Sequence, residues 1–264
     1  MNSIGLLVGF LFVAPLLVQG ESNYWDHIQQ LVKEYDTPQG NPQLETYLKG
    51  LAPGQMLQAA REYSQYAEKK FPVENWAEAV MDIGLTLAFY GTEQNRLTDD
   101  RLNALFMCIT DENESQFFRE SLVLLLRQRY WDQLTDNQRK RGRHCFLSVL
   151  LDKKAPERLR VISCQELSQA MAENHRRIII SDMNVRSLRN DKQKWRQVDE
   201  LVRKGDVRLE AETYKALETL QVEFENISLR ITELSEDIAE SLQIKEAAKS
   251  ALKIFSDMPV SPEQ

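Results

Sequence analysis

Two stretches of the chain, 41 residues apart, repeat one order of residues. Residues 109–120 read ITDENESQFFRE and residues 150–161 read LLDKKAPERLRV. In each, an apolar helix end runs into an aspartate, Asp111 or Asp152, and an arginine follows eight residues later, Arg119 or Arg160. A short polar link between two apolar helical segments predicts a helix hairpin. The repeat therefore predicts a structural unit that the chain uses more than once.

The repeated phrase belongs to a longer rhythm of helix starts. Residues 51–54 (LAPG), 97–100 (LTDD) and 134–137 (LTDN) each follow a leucine with residues that favour a helix N-terminus. These starts lie 46 and 37 residues apart, and a second apolar segment follows each first helix. Because good helix formers dominate and strand-like runs are few, we predict an all-α fold. Residues 22–171 should form about three helix pairs in a short, α-solenoid-like stack.

This pattern resembles the HEAT-like helical repeat superfamily over about residues 50–171. Asp152, Pro156 and Arg160 stand in the order with which the second helix of that family often opens, and Asp111 and Arg119 repeat it without the proline. The resemblance implies that these five residues are structural, since aspartate and arginine tend to tie neighbouring repeats together in that family. It also implies stacked pairs that share one continuous core.

Beyond residue 171 the pattern changes to heptads, which are typical of coiled coils. Residues 176–204 carry nine Lys and Arg against four Asp and Glu, whereas residues 205–264 carry six against thirteen. Opposite charges on consecutive helices favour antiparallel pairing. We therefore predict a long antiparallel helical hairpin or coiled coil over residues 172–257, followed by a tail at 258–264. Its predicted seam consists of Leu217, Leu220, Phe224, Ile227, Ile231, Leu234, Ile238, Leu252 and Phe255.

The first twenty residues predict a targeting segment. An uncharged apolar run extends from Ile4 to Val18, and the small Gly20 precedes the polar Glu21. This order is typical of a secretory signal peptide cleaved after Gly20, with an uncleaved N-terminal anchor as the alternative. We therefore predict an exported protein, either periplasmic, secreted or associated with the cell envelope.

No residue pattern predicts a catalytic, cofactor or metal site. Cys108, Cys145 and Cys164 lie within apolar helical patterns without the C-x-x-C spacing of metal sites, and three cysteines allow at most one disulfide. The adjacent His144 and Cys145 point about 100° apart on a helix and cannot share a proton. The chain also lacks a Gly-rich phosphate loop, G-x-S-x-G and H-E-x-x-H. These observations favour a non-enzymatic protein.

The remaining candidates are possible binding anchors, because exposed aromatic and basic residues often dominate interfaces. They are Trp25, Trp131, Arg139, Lys140, Arg141 and Arg143. The alternative interpretation is structural, since a tryptophan at a helix end more often caps a core and a basic run more often forms a solvated helix face. The net charge of −7 disfavours nucleic acid as the partner. The leading hypothesis is an exported scaffold that binds an unidentified protein through the helical-repeat surface and the coiled-coil arm.

Two alternatives remain open at this stage. The first is a coiled-coil structural protein that self-associates through its second arm and contacts the membrane only through an uncleaved N-terminus. The second is an all-α enzyme whose acidic residues are scattered over the repeats. It would require convergent carboxylates of raised pKa in a pocket.

Overall fold

The computed structural model describes residues 24–34, 42–70, 87, 90–91, 97–256 and 258, and every regular element within these ranges is a helix. The all-α prediction is therefore confirmed for the described part of the chain. The predicted signal peptide lies outside it, as does most of residues 73–90, the second apolar segment of the first pair, for which the sequence predicts a helix. The α-helices are α1 Tyr24–Glu34, α2 Pro42–Gly50, α3 Pro53–Lys70, α4 Asp99–Thr110, α5 Gln116–Leu125, α6 Asp136–Leu151, α7 Glu157–Ser181, α8 Met183–Arg186, α9 Lys192–Arg196, α10 Val198–Arg203, α11 Ala211–Glu236 and α12 Leu242–Ser256.

Shorter helical turns extend two of these elements. Helix α5 continues into a π-helical turn, Leu126–Tyr130, and a 3-10 turn, Trp131–Gln133. A second 3-10 turn, Ser187–Asn190, joins α8 to α9. Among the described helices, none is both long enough and apolar enough to cross a membrane.

Helices α4 and α6 begin at the threonines that the sequence pattern marks as caps. The Thr98 side chain accepts a hydrogen bond from the backbone N–H of Arg101. Thr135 and Gln138 form a reciprocal capping box, in which each side chain accepts from the other residue's backbone N–H. These bonds satisfy amide groups that have no partner within the helix, so they fix where each helix starts.

Three hairpin turns share one geometry, and the sequence analysis identified only two of them. The Oδ1 atoms of Asp111, Asp152 and Asp237 each accept a hydrogen bond of 2.9 Å from the backbone N–H two residues later. The carbonyl of each aspartate also accepts from the N–H three residues later. The third turn joins α11 to α12. A basic residue follows it eight positions later at Lys245, as Arg119 and Arg160 follow the first two turns.

The turns create three hairpins, α4–α5, α6–α7 and α11–α12, which pack side by side. Helix α4 packs against α6, while α3, α5, α7 and α12 form a second row in which each helix contacts the next. One apolar core runs through these contacts and includes fully buried Phe118, Phe146 and Ile231. Residues 183–208 form a small projection with its own core.

The predicted coiled-coil arm is wrong in two respects. Helix α7 continues to Ser181, so the predicted domain boundary at residues 171/172 falls inside it, and residues 182–204 form short helices instead of one arm. The second arm is interrupted between Glu236 and Leu242, where the chain reverses. Ile238, a predicted seam residue, is 94% exposed in this turn.

The reversal has a physical cause in the packing of α12. Folding back at the Asp237 turn lets α12 bury Ile244, Ala248, Ala251 and Phe255 against α7 and α11. A straight helix would leave this apolar stripe in water. The other predicted seam residues are buried or half-buried. All but Leu217 pack in this three-helix arrangement, whereas Leu217 packs in the separate small core of residues 183–208. These seam residues are Leu217, Leu220, Phe224, Ile227, Ile231, Leu234, Leu252 and Phe255.

Arginine side chains join segments within hairpins and between them. The Nε atoms of Arg119 and Arg160 each donate 2.8 Å to the carbonyl oxygen ten residues earlier. Arg160 also donates 2.9 and 2.8 Å from its two terminal nitrogens to both carboxylate oxygens of Glu240, in the turn of the next hairpin. Arg61 on α3 makes a similar bidentate contact with Glu114, in the α4–α5 turn. A bidentate ion pair fixes both distance and orientation between the segments it joins.

Candidate functional site

The two predicted aromatic anchors are core residues. Trp25 is 9% exposed and Trp131 is 1% exposed. The Trp25 ring lies 4.1 Å from the ring centre of Tyr63, and Trp131 stacks on Phe146 at 5.8 Å. The prediction that these tryptophans are exposed anchors is therefore wrong, because both fill gaps between helices.

The basic run at residues 139–143 is not a continuous surface patch. Arg139 is buried and donates to the Trp131 carbonyl oxygen at 3.2 Å, while Arg143 is 2% exposed. Arg141 lies 3.2 Å from an Asp99 carboxylate oxygen. Lys140 alone in the run is largely open to solvent and pairs with no carboxylate among the residues that the structure describes. The helical turn thus divides the predicted anchors into structural arginines and one exposed lysine.

The cysteines provide neither a nucleophile nor a disulfide. Cys108, Cys145 and Cys164 are all buried free thiols. Burial raises the pKa values of Cys145 and Cys164 to about 12, and burial also raises the pKa of Cys108. A thiol with so high a pKa stays protonated at neutral pH and reacts poorly. No group of His, Cys, Asp and Glu in the described ranges could hold a metal ion.

Glu166 on α7 is a half-buried carboxyl group, and buried carboxyl groups often mark active sites. Burial raises the pKa of Glu166, and the nearby Arg127 guanidinium opposes that rise from 3.7 Å. Arg127 also pairs with Glu173 at 2.7 Å. The group is therefore one arginine shared between two carboxylates, which is an ion-pair arrangement linking α7 to the π-helical turn.

The candidate functional site is an open groove of about 570 Å³ between α6 and α11. On the α6 side it is lined by Lys140, His144 and Leu147, spaced four and three residues apart on one face. The other face of α6 buries Cys145, Phe146 and Val149 in the core, which turns this stripe outward. Leu151 continues the stripe and is 37% exposed. The groove is thus bounded on one side by a helix face that changes from basic to apolar.

The α11 side of the groove combines polar and apolar side chains. It is lined by Thr219, Val222, Glu223, Asn226 and Ile227. Val222 is 63% exposed, and Leu229, seven residues later on the same face, is 57% exposed. Both are large apolar residues outside the buried seam of α11. The two helix faces therefore present an unpartnered apolar strip to solvent.

An ion pair closes the floor of the groove. Arg143 donates 2.8 and 2.7 Å to the two carboxylate oxygens of Glu223. Farther along, Lys153 Nζ donates 2.9 Å to Asp237. Because residues 143 and 153 of one segment meet residues 223 and 237 of the other in the same order, α6 and α11 run parallel. Side chains, not close helix packing, span the gap.

The charge of the groove is positive although the chain is acidic. Glu223 is neutralised by Arg143 on the floor, with His144 Nε2 3.9 Å from the same carboxylate. Lys140 remains at the end where α6 begins. The exposed apolar residues Leu151 and Leu229 follow toward the other end. The arrangement suits an apolar segment that carries a negative charge at one end.

Sequence reasoning identified Lys140 but missed the rest of the groove. A signal was present, since Val222 and Leu229 are two apolar residues seven apart that lie outside the heptad seam. Such a second stripe indicates a helix with an additional apolar face. The Glu223 contact could not be recognised from sequence, because its partner Arg143 lies 80 residues away.

Comparison of the chain with protein-family models, with curated proteins and with solved structures gives no match.

Proposed function

We propose that the protein is a non-enzymatic interaction protein that binds an acidic, amphipathic helix of a partner protein in the α6–α11 groove. The observation that carries this proposal is the groove itself, with Lys140 at one end and exposed Val222 in its wall, and Leu229 exposed farther along the same face of α11. Amphipathic helices bind such grooves through apolar residues repeated every three or four positions. The occupant would replace water on an apolar strip that a monomer otherwise leaves exposed.

We also propose how the three hairpins are used. The three hairpins would act as a short α-solenoid-like stack, as the resemblance to HEAT-like repeats implies, and such stacks bind partners along their surfaces. Export, predicted from residues 1–20, also belongs to the proposal. Three buried thiols are compatible with an oxidising compartment, because a shielded thiol exchanges poorly.

Charge complementarity selects the chemistry of the occupant. Lys140 is unpaired, and the one carboxylate lining the groove is already held by Arg143. A negatively charged residue near the α6 N-terminus would also interact favourably with the positive end of that helix. A basic helix would be repelled by the positive charge of Lys140, and no free carboxylate among the described residues lines the groove to offset that repulsion. We therefore expect an acidic group at the end of the partner segment that lies beside Lys140.

Site-specific photo-crosslinking tests the groove directly. One protein carries a photo-reactive amino acid at Asn226, in the groove, and a control carries it at Ser250, which is exposed on α12. We expect a discrete adduct from position 226 alone in an extract of the source cells. Mass spectrometry of the linked peptide should identify an acidic segment with apolar residues at helical spacing.

A matched pair of substitutions makes the result specific. Val222→Asp and Leu242→Asp both add one negative charge at a largely exposed apolar residue, at 63% and 70% exposure. Val222→Asp should abolish the adduct and Leu242→Asp should leave it. Circular dichroism would verify that both proteins are folded. Equal adducts from positions 226 and 250, or an adduct insensitive to Val222→Asp, would overturn the proposal.

A further inference from the structure

A second surface, separate from the groove, lies in residues 183–208, here called the basic lobe. It contains α8, α9 and α10 and the intervening 3-10 turn. Its core is small and consists of Val185, Val198 and Val202 packed with Leu209 and with residues at the end of α7 and the start of α11. So few buried residues leave most side chains of the lobe at the surface.

The basic lobe concentrates positive charge. It contains eight Lys and Arg against four Asp and Glu, a formal charge of +4 in a chain of −7, so the rest carries −11. All eight basic side chains are exposed. Two of them pair within the lobe, Lys194 with Asp191 at 3.9 Å and Lys204 with Glu200 at 2.6 Å. The other six form no ion pair within the described part of the chain; they are Arg186, Arg189, Lys192, Arg196, Arg203 and Arg208.

These cations do not serve the intramolecular role expected from the sequence. Among the residues that the structure describes, no ion pair joins the basic lobe to the acidic helices α11 and α12. A compact segment of this size has a radius of gyration of about 8 Å. That is close to the Debye length of about 8 Å at physiological salt, so an approaching surface meets the lobe as one positive charge.

The lobe is fixed at one end of the molecule. Asp182 accepts hydrogen bonds from the backbone N–H of Asn184 at 2.8 Å and of Glu210 at 2.7 Å, which clamps the two ends of the lobe together. Helix α11 starts at the lobe and ends at the Asp237 turn, so its 26 residues span about 39 Å. That length is several Debye lengths. The carboxylates at the Asp237 turn therefore lie too far away to cancel the field of the lobe.

Apolar residues accompany the cations. Trp195 is half-buried on α9, where Lys192 and Arg196 lie three residues before it and one after it. Met183 at the start of α8 is 66% exposed. A tryptophan flanked by basic residues is typical of protein surfaces that lie at the boundary between lipid headgroups and water.

We propose that the basic lobe docks on an anionic lipid surface. A flat anionic surface would contact the lobe at the end of the molecule and keep the carboxylates at the Asp237 end of α11 at a distance where salt screens them. A nucleic acid that wrapped around the protein would instead meet the rest of the chain, which carries a formal charge of −11. This proposal uses different residues from the groove, so either can fail without the other.

Flotation of the full chain with lipid vesicles tests the proposal. The probes are vesicles of phosphatidylcholine containing about 30% phosphatidylserine, an anionic lipid, and vesicles of phosphatidylcholine alone. The second probe accounts for any binding by the apolar residues 1–20. We expect a clear preference for phosphatidylserine that weakens as salt rises, because screening shortens the reach of the charges.

Two triple variants with the same change in net charge locate the binding. One replaces Arg186, Arg189 and Arg196 of the lobe with Gln. The other replaces Lys245, Lys249 and Lys253 of α12 with Gln. Each basic residue near an anionic surface strengthens binding about five-fold, so the lobe variant should bind about 100-fold more weakly and the α12 variant should bind normally.

Three results would overturn the proposal. The first is an equal loss of binding in the two triple variants, and the second is no preference of the unmodified chain for phosphatidylserine. The third is displacement of the chain from the vesicles by a short DNA duplex whose phosphate concentration equals that of the phosphatidylserine. The last result would assign the lobe to nucleic acid. The Val222→Asp variant should bind vesicles normally, which separates this test from that of the groove.

Discussion

Two regions of the molecule use arginine in opposite ways. One is the junction between α7 and the α11–α12 turn, and the other is the basic lobe. At the junction, Arg160 and Glu240 are 5% and 4% exposed in their side chains and form a bidentate pair. In the lobe, Arg186 and Arg196 are exposed and unpaired. The difference shows that an arginine contributes to the fold when a carboxylate is buried with it. An arginine that remains in solvent is free to interact with a partner.

The comparison predicts the largest effect at the buried pair. Glu240→Gln removes the charge that Arg160 requires while keeping nearly the same shape. We expect a loss of about 3–5 kcal/mol in the free energy of unfolding, because an uncompensated buried charge remains. Urea denaturation measures this loss. Adding Arg160→Met to Glu240→Gln should restore part of it, and a double variant less stable than Glu240→Gln would contradict this account.

Asp182→Ala should destabilise the basic lobe. The substitution removes the two hydrogen bonds that clamp the base of the lobe, at about 1.5–3 kcal/mol for bonds to a charged group. Hydrogen exchange should accelerate within residues 183–209 and stay unchanged in α6 and α7. Uniform acceleration throughout the described helices would show that the lobe and the hairpins unfold together.

The same clamp carries a pH dependence. Burial acts to raise the pKa of Asp182, but hydrogen bonds from Glu210, Thr213 and Asn184 outweigh it and lower the pKa below the ordinary value of 3.8. The stabilising contribution is therefore complete above the unfolded pKa and is lost as pH falls through the lower folded value. In Asp182→Ala, exchange in the lobe should lose this acid-sensitive component below about pH 4.

Gly142→Ala should destabilise the hairpins by about 1–3 kcal/mol. A Cβ atom at residue 142 would lie 2.7 Å from a ring carbon of the fully buried Trp131, which cannot move without disturbing its neighbours. Gly54→Ala is the control, since a Cβ atom there meets nothing within 4 Å. That control should be neutral or stabilising because alanine favours a helix. Equal melting temperatures for the two variants would contradict the close packing of α6 on Trp131.

Lys153→Ala should have the smallest effect. Lys153 and Asp237 join the same segments as Arg160 and Glu240, but the lysine side chain is 64% exposed. Solvent screens such a pair, so denaturant unfolding should barely change. A loss as large as that in Glu240→Gln would mean that burial does not distinguish the two pairs.

The failure of the coiled-coil prediction has a specific origin. Ile238 fits the heptad as well as Ile231 does, so local pattern gave no reason to end the helix at Glu236. The aspartate at 237, with Lys245 eight residues later, repeats the signal found at Asp152 and Arg160. Because the apolar heptad continues across residue 237, this third copy of the turn was not predicted. The groove could not be predicted either, because it depends on how far α11 stands from α6.

The sequence by itself determined that the described chain is helical, and it located two hairpin turns through their Asp-to-Arg spacing. These features follow from local interactions, namely capping, side-chain periodicity and the hydrogen bonds of an aspartate within its own turn. Tertiary structure alone decided which charges are buried and which stay open. Arg143 lies within a run of basic residues that includes exposed Lys140, and only the approach of Glu223 makes it structural. Burial and charge pairing depend on contacts between residues far apart in the chain, so sequence spacing cannot reveal them.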